Sequence, residues 1–169
     1  SYNANAFGNF AAALGSGSKA NGNFAISVGS NTANGSAAAA IAVDAFANGA
    51  AATAVGNEAN ANGSSASAYG KLSFANGNFA SAVGYTANAT GNFATAVGSL
   101  SRATGGSAVA LGDTTLATGA RAAALGAKAN AIGNAASAVG DTANASGENA
   151  TAIGAYSNAT GRFATAVGN

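Results

Sequence analysis

Large apolar residues recur along this chain at a fixed stride rather than in local clusters. Leu14, Val28, Ile41, Val55, Tyr69, Val83, Val97, Leu111, Leu125, Val139, Ile153 and Val167 follow one another every fourteen residues, with a single step of thirteen. Each unit can be counted from the Gly that opens it, Gly8, Gly22, Gly35 and onward to Gly161, so that the large residue lies at offset six. Offset three is then Ala in all twelve units, from Ala11 to Ala164, and offset five is Ala in all but one, where Ser27 stands. Two residues before each opening Gly, at offset twelve of a full unit, there is again always Ala, from Ala6 to Ala159, and a second Gly follows the large residue everywhere except at Ala42. The segments 91–98, Gly-Asn-Phe-Ala-Thr-Ala-Val-Gly, and 161–168, Gly-Arg-Phe-Ala-Thr-Ala-Val-Gly, show the unit at its clearest.

The stride decides the backbone. Alanine favours helix by propensity, but a Gly at every seventh position costs a helix about 1 kcal/mol each. Fourteen is also two heptads, yet a coiled-coil seam needs repeated Leu or Ile at a and d with charges beside it, and one aliphatic per fourteen residues supplies neither. Offsets three to six instead alternate, Ala on one face and a Thr, Ser or Ala position with the aliphatic on the other, which predicts a short strand between glycine turns. The second half of each unit, such as 85–90 (Tyr-Thr-Ala-Asn-Ala-Thr), predicts a second, more polar strand facing water together with the turns. Each unit is thus predicted to be one coil of an all-β solenoid, and twelve coils at about 4.8 Å apiece make a rod of roughly 57 Å. The unit around Gly35 is irregular, with one residue missing before it and Ala42, Asp44 and Phe46 in it; a local bulge or a binding feature is expected there.

Composition sharpens this picture. Of 169 residues 52 are Ala and 25 Gly, while Pro, Cys, His, Met and Trp are absent. Without Cys or His there are no disulfides, no usual zinc ligands and no imidazole general base. Six basic and five acidic residues give a net charge of +1, which offers no footprint for nucleic acid or anionic lipid. No apolar run approaches the ~18–20 residues of a membrane-spanning helix, and no basic leader with an apolar core opens the chain. The repeat starts and stops mid-pattern, so the chain is expected to be an excerpt. None of the eleven charges falls at offsets three to seven, which marks the alanine strand as the buried one. Ordering a coil costs roughly 20 kcal/mol of backbone entropy, and one buried aliphatic with a few methyls returns far less. A coil so thin is expected to need neighbouring chains to dry its apolar side, and a three-fold cyclic homo-oligomer suits a rod.

The segments Asn78-Phe79-Ala80-Ser81-Ala82-Val83-Gly84 and Asn92-Phe93-Ala94-Thr95-Ala96-Val97-Gly98 resemble the Asn-Ser-Val-Ala-Ile-Gly core of the 14-residue repeats in trimeric autotransporter adhesin heads, the YadA-like surface proteins of Gram-negative bacteria. The resemblance covers essentially all of residues 1–169. It implies an all-β, left-handed parallel β-roll assembled as a homotrimer, held at the cell surface by a stalk and an outer-membrane β-barrel, and adhering to host matrix proteins or host-cell receptors. The Val of the family core is Thr53, Ser81, Thr95, Ser137, Thr151 or Thr165 here. No stalk, neck or membrane anchor is read within 1–169, and no direct membrane contact is expected of it.

Candidate chemistry is sparse. The five carboxylates are scattered over different coils; Asp113 and Asp141 share offset eight but lie two coils apart, about 9.6 Å by the rise. No catalytic, cofactor-binding or metal-binding residue is assigned, the chain is expected not to be an enzyme, and the ligand-binding residues stay unassigned. Phe10, Phe24, Phe79, Phe93 and Phe163 share offset two; they read either as packing at a corner or trimer seam, or as an exposed aromatic ladder. Arg102, Arg121 and Arg162 read as solvated charges or as contacts to an acidic partner. Two other functions stay open: an ice-binding solenoid, for which the Thr53, Thr95, Thr151 and Thr165 column is interrupted and assigned to the buried strand, and a purely structural spacer.

Overall fold

The computed structural model describes residues 3–168. They form an all-β parallel solenoid of about twelve turns, one turn per sequence unit. Every turn carries a two-residue strand, from Asn5–Ala6 to Asn158–Ala159, and a three-residue strand, from Ala12–Leu14 to Thr165–Val167. The two-residue strands stack in order into a narrow twelve-stranded sheet and the three-residue strands into a broad one. Pairing is parallel, and each residue lies beside its equivalent in the next unit: Ser67 beside Ser81, Ala68 beside Ala82, Tyr69 beside Val83.

The two sheets meet through alanine. Offsets three and five of the broad side and offset twelve of the narrow side point inward, so that Ala80, Ala82, Ala89, Ala94 and Ala96 lose all contact with solvent. Offset ten also points inward, where the residue is Ala or a small hydroxyl: Ser18, Ser73, Ser101, Thr115 and Ser157 are all buried. Each of these hydroxyls donates to the carbonyl three residues back, Ser101 Oγ to Gly98 O at 2.9 Å and Thr115 Oγ1 to Gly112 O at 2.9 Å, which satisfies the polar group locally. The narrow strand therefore does not simply face water, as its polarity suggests. It alternates, with offsets ten and twelve inside and offsets eleven and thirteen outside.

The expectation that one chain cannot dry its own interior is also overturned. The alanines are sealed within a single chain. Methyls and a few small hydroxyls fill the gap between the sheets. The residue left uncovered is the large one at offset six, which the entropy argument had counted as buried. Val83 and Val139 are each 38% exposed and Ile153 44%, with Val97, Leu111 and Leu125 half-buried.

Glycine marks the corners for two separate reasons. At Gly91, a Cβ would lie 1.8 Å from the carbonyl oxygen of Gly105 in the next coil, so stacking itself forbids a side chain. At Gly98 the φ of +130° adds a conformation that other residues avoid.

The irregular unit shows no bulge in either sheet. Val28 pairs with Ile41 and Thr32 with Phe46 in unbroken register. The missing residue is taken out of the turn between them, at offset nine. Asn31 occupies the inside of that turn, and its amide donates to the carbonyls of Val28 (2.6 Å), Ala40 (3.0 Å) and Ala42 (2.8 Å). Its side-chain oxygen accepts from the hydroxyl of Ser27, which itself accepts from the Lys19 N–H at 3.1 Å. The single exception to Ala at offset five thus belongs to the same event as the shortened turn.

Candidate functional site

A rod without a cleft offers its faces and corners. The outer face of the broad sheet consists of offsets four and six. Offset four holds Ala, Ser, Thr, Ile or Val and offset six an aliphatic or Tyr69, and no charge occurs at either offset along all twelve coils. Thr53, Thr95 and Thr151 lie on this outer face and are half-buried; they are not interior, as the sequence reading had them. Ser67, Ser81, Val109, Ala123 and Ser137 interrupt the column, so no continuous threonine array forms.

The outer face of the narrow sheet is different in kind. It carries Lys19 and Arg102 together with a run of stacked carboxamides. The amide of Asn21 donates to Asn34 at 2.6 Å, Asn34 to Asn48 at 2.7 Å and Asn48 to Asn62 at 2.7 Å. A second rung joins Asn144 to Asn158 at 2.9 Å. Sequence reasoning passed over this ladder, although the signal was present: Asn stands immediately before the opening Gly in five consecutive units, from Asn21 to Asn76.

The offset-two corner holds the aromatic residues. Phe10 stacks on Phe24 with ring centroids 5.2 Å apart, and Phe79 on Phe93 at 5.3 Å, the planes within 7° and 2°. All four rings are more than half exposed in one chain, so they form short aromatic ladders instead of packing into a corner of their own coil. Beyond Phe93 the column changes to Ser107, Arg121, Ala135 and Asn149 before Phe163 restores the ring. Along this ring-free stretch lies a groove of about 430 Å³, lined by Ser107, Ala120, Arg121, Asn134, Glu148 and Asn149 among others.

Charges reach this corner and the narrow sheet but not the broad sheet. Arg162 Nε lies 3.1 Å from Glu148 Oε2, and its guanidinium stands 4.7 Å over the Phe163 ring. Both partners of the ion pair are at least half exposed, so its worth to stability is small. Arg121 makes no ion pair among the described residues. The carboxylate of Asp113 accepts from the adjacent Thr114 hydroxyl at 3.0 Å. No group of three or more acidic, Cys or His side chains comes together among the described residues.

Comparison with curated proteins finds no match to this chain. The family comparison does: the YadA head domain repeat matches residues 8–32, 75–101, 103–129, 131–157 and 145–169. These segments take in more than half of the sequence and fall in register with the coils described above. The chain therefore belongs to the YadA head repeat family.

Proposed function

We propose that residues 1–169 form the head segment of a surface adhesin that acts as a homotrimer and attaches a Gram-negative bacterium to host matrix proteins or host cells. One observation carries the oligomer: the broad sheet presents a charge-free face of small and aliphatic residues along the full rod, while the interior is already complete without it. A soluble rod gains by covering such a face, because apolar area returns about 25 cal/mol per Å² when removed from water. Three identical chains related by an axis parallel to the rod cover it with a closed, repeated contact. The narrow sheet, the carboxamide ladder and the corners then remain outward, as the surfaces available to a host. An enzymatic role has no support in this arrangement, and the anchoring parts of such an adhesin belong to other segments.

The test has two parts. Light scattering on the purified head should give three times the 15.5 kDa chain mass. Immobilised matrix proteins and cultured host cells should retain that particle above a scrambled-corner control. A monodisperse single chain defeats the trimer. A trimer that binds neither surface leaves only the spacer reading.

A further inference from the structure

At the offset-two corner each N–H normally closes a rung with the offset-one carbonyl of a neighbouring coil. From Phe10 to Ser107 the donation runs forward: Phe79 N–H to Asn92 O, Phe93 N–H to Gly106 O and Ser107 N–H to Ala120 O, each at 2.8 Å. From Asn149 it runs backward, with Asn149 N–H to Asn134 O and Phe163 N–H to Glu148 O, each at 2.9 Å. The turn flips at the same place. Ala135, Asn149 and Phe163 have φ of 53°, 55° and 57°, whereas no earlier offset-two residue has a positive φ.

A ladder that changes direction strands donors at the junction. The Asn134 carbonyl ahead of Arg121 has turned to accept from Asn149, and the Ala120 carbonyl behind Ala135 accepts from Ser107. The N–H groups of Arg121 and Ala135 consequently bond no carbonyl, alone among the offset-two positions. Both residues line the groove along the ring-free stretch. The side-chain oxygen of Asn134 accepts from the Ala120 N–H at 3.0 Å and Oε2 of Glu148 pairs with Arg162, and neither side chain bonds the two N–H groups. What remains is a concave surface with two unused backbone donors and an unpaired guanidinium carrying five more. Backbone N–H groups gathered in a turn form anion-binding concavities, and Arg adds a planar fork that fits a carboxylate or sulfate.

We propose that this junction binds the carboxylate or sulfate group of an acidic sugar chain. The rest of the lining favours a polyol over a peptide: Ser107, Asn134 and Asn149 offer hydroxyl and amide groups, with no apolar pocket for a side chain. Phe93 and Phe163 flank this stretch of the offset-two column, and an exposed ring suits the apolar side of a sugar. The proposal rests on the adhesin reading and adds to it the chemical group that is gripped.

The experiment titrates the isotope-labelled head with three oligosaccharides and one peptide: hyaluronate, which carries only carboxylates, a heparin fragment, which also carries sulfates, a neutral maltose oligomer, and polyglutamate. The amide signals of Arg121 and Ala135 should shift with an acidic sugar and stay still with the neutral one. The pattern across hyaluronate and heparin tells which group is preferred. Arg121→Gln should weaken binding about tenfold or more, and Arg102→Gln, on the narrow-sheet face, should leave it within about twofold. Equal shifts with maltose, equal affinity for polyglutamate, or equal loss in Arg102→Gln would each overturn the site. Absence of sugar binding while the trimer still attaches to host cells removes this site alone; absence of attachment altogether removes the adhesin reading beneath it.

Discussion

Single residues set the thickness of this rod. Interior positions take a methyl or a small hydroxyl, with Asn31 at the shortened turn the exception, and the opening Gly takes no side chain at all. Gly91→Ala should lower stability by about 3 kcal/mol, because the intruding carbon meets a backbone carbonyl that cannot rotate away. The thermal midpoint of the assembled head, read at fixed concentration, checks this. Ala42 tests the opposite direction. It occupies the second-Gly position with a φ of 100°, a region costly to any residue with a Cβ. Ala42→Gly should therefore raise stability by about 1 kcal/mol, even after the added freedom of the unfolded chain is allowed for. These sites were legible in the sequence, since an invariant Ala or Gly in twelve units admits few explanations. Offset ten was not, because Ser18, Asn31, Ala45 and Thr115 share only their small size and read as surface by polarity.

At the scale of the element, the fourteen-residue stride disclosed strand, turn, strand and turn, and the structure keeps all four. Which face of each strand turns inward was only half legible. Alternation at offsets three to six separates alanine from aliphatic, but a two-residue strand is too short to show a period, so the inward side of the narrow sheet could not be read from it. Hydrogen bonds that run between coils were equally hidden, since they join residues fourteen apart. The shortened turn is the clearest case. A deletion, Ser27 and Asn31 look like three unrelated irregularities along the chain and form one network in space. Asn31→Ala should cost about 2–3 kcal/mol by stripping a donor from three carbonyls. Ser27→Ala should cost about 1 kcal/mol, and the double variant should cost less than the sum because the two residues satisfy each other. Chemical denaturation of the four proteins measures that coupling; additive effects would mean that Asn31 acts alone.

At the scale of the whole molecule, the forces that build the trimer and those that would hold a host sugar are of different kinds, and salt separates them. The proposed protomer contact uses the outer face of the broad sheet, where no charge stands at offset four or six. Its strength comes from apolar burial, which salt does not screen. Val83→Asp with Val139→Asp places a carboxylate on two coils of that face, at side chains that are 38% exposed in the single chain. The interior alanines are untouched, so the variant should keep the β-type circular dichroism of the parent while its scattering mass falls from three chains to one. The corner groove uses Arg121 and two backbone donors, and attraction between exposed charges fades beyond about 3 Å of separation at 1 M salt. Raising sodium chloride from 0.1 M to 1 M should leave the parent's mass unchanged and release an acidic oligosaccharide. Mass falling together with ligand would place charge in the protomer contact. That outcome conflicts with the distribution of all eleven charged residues, which stand at corners and on the narrow sheet.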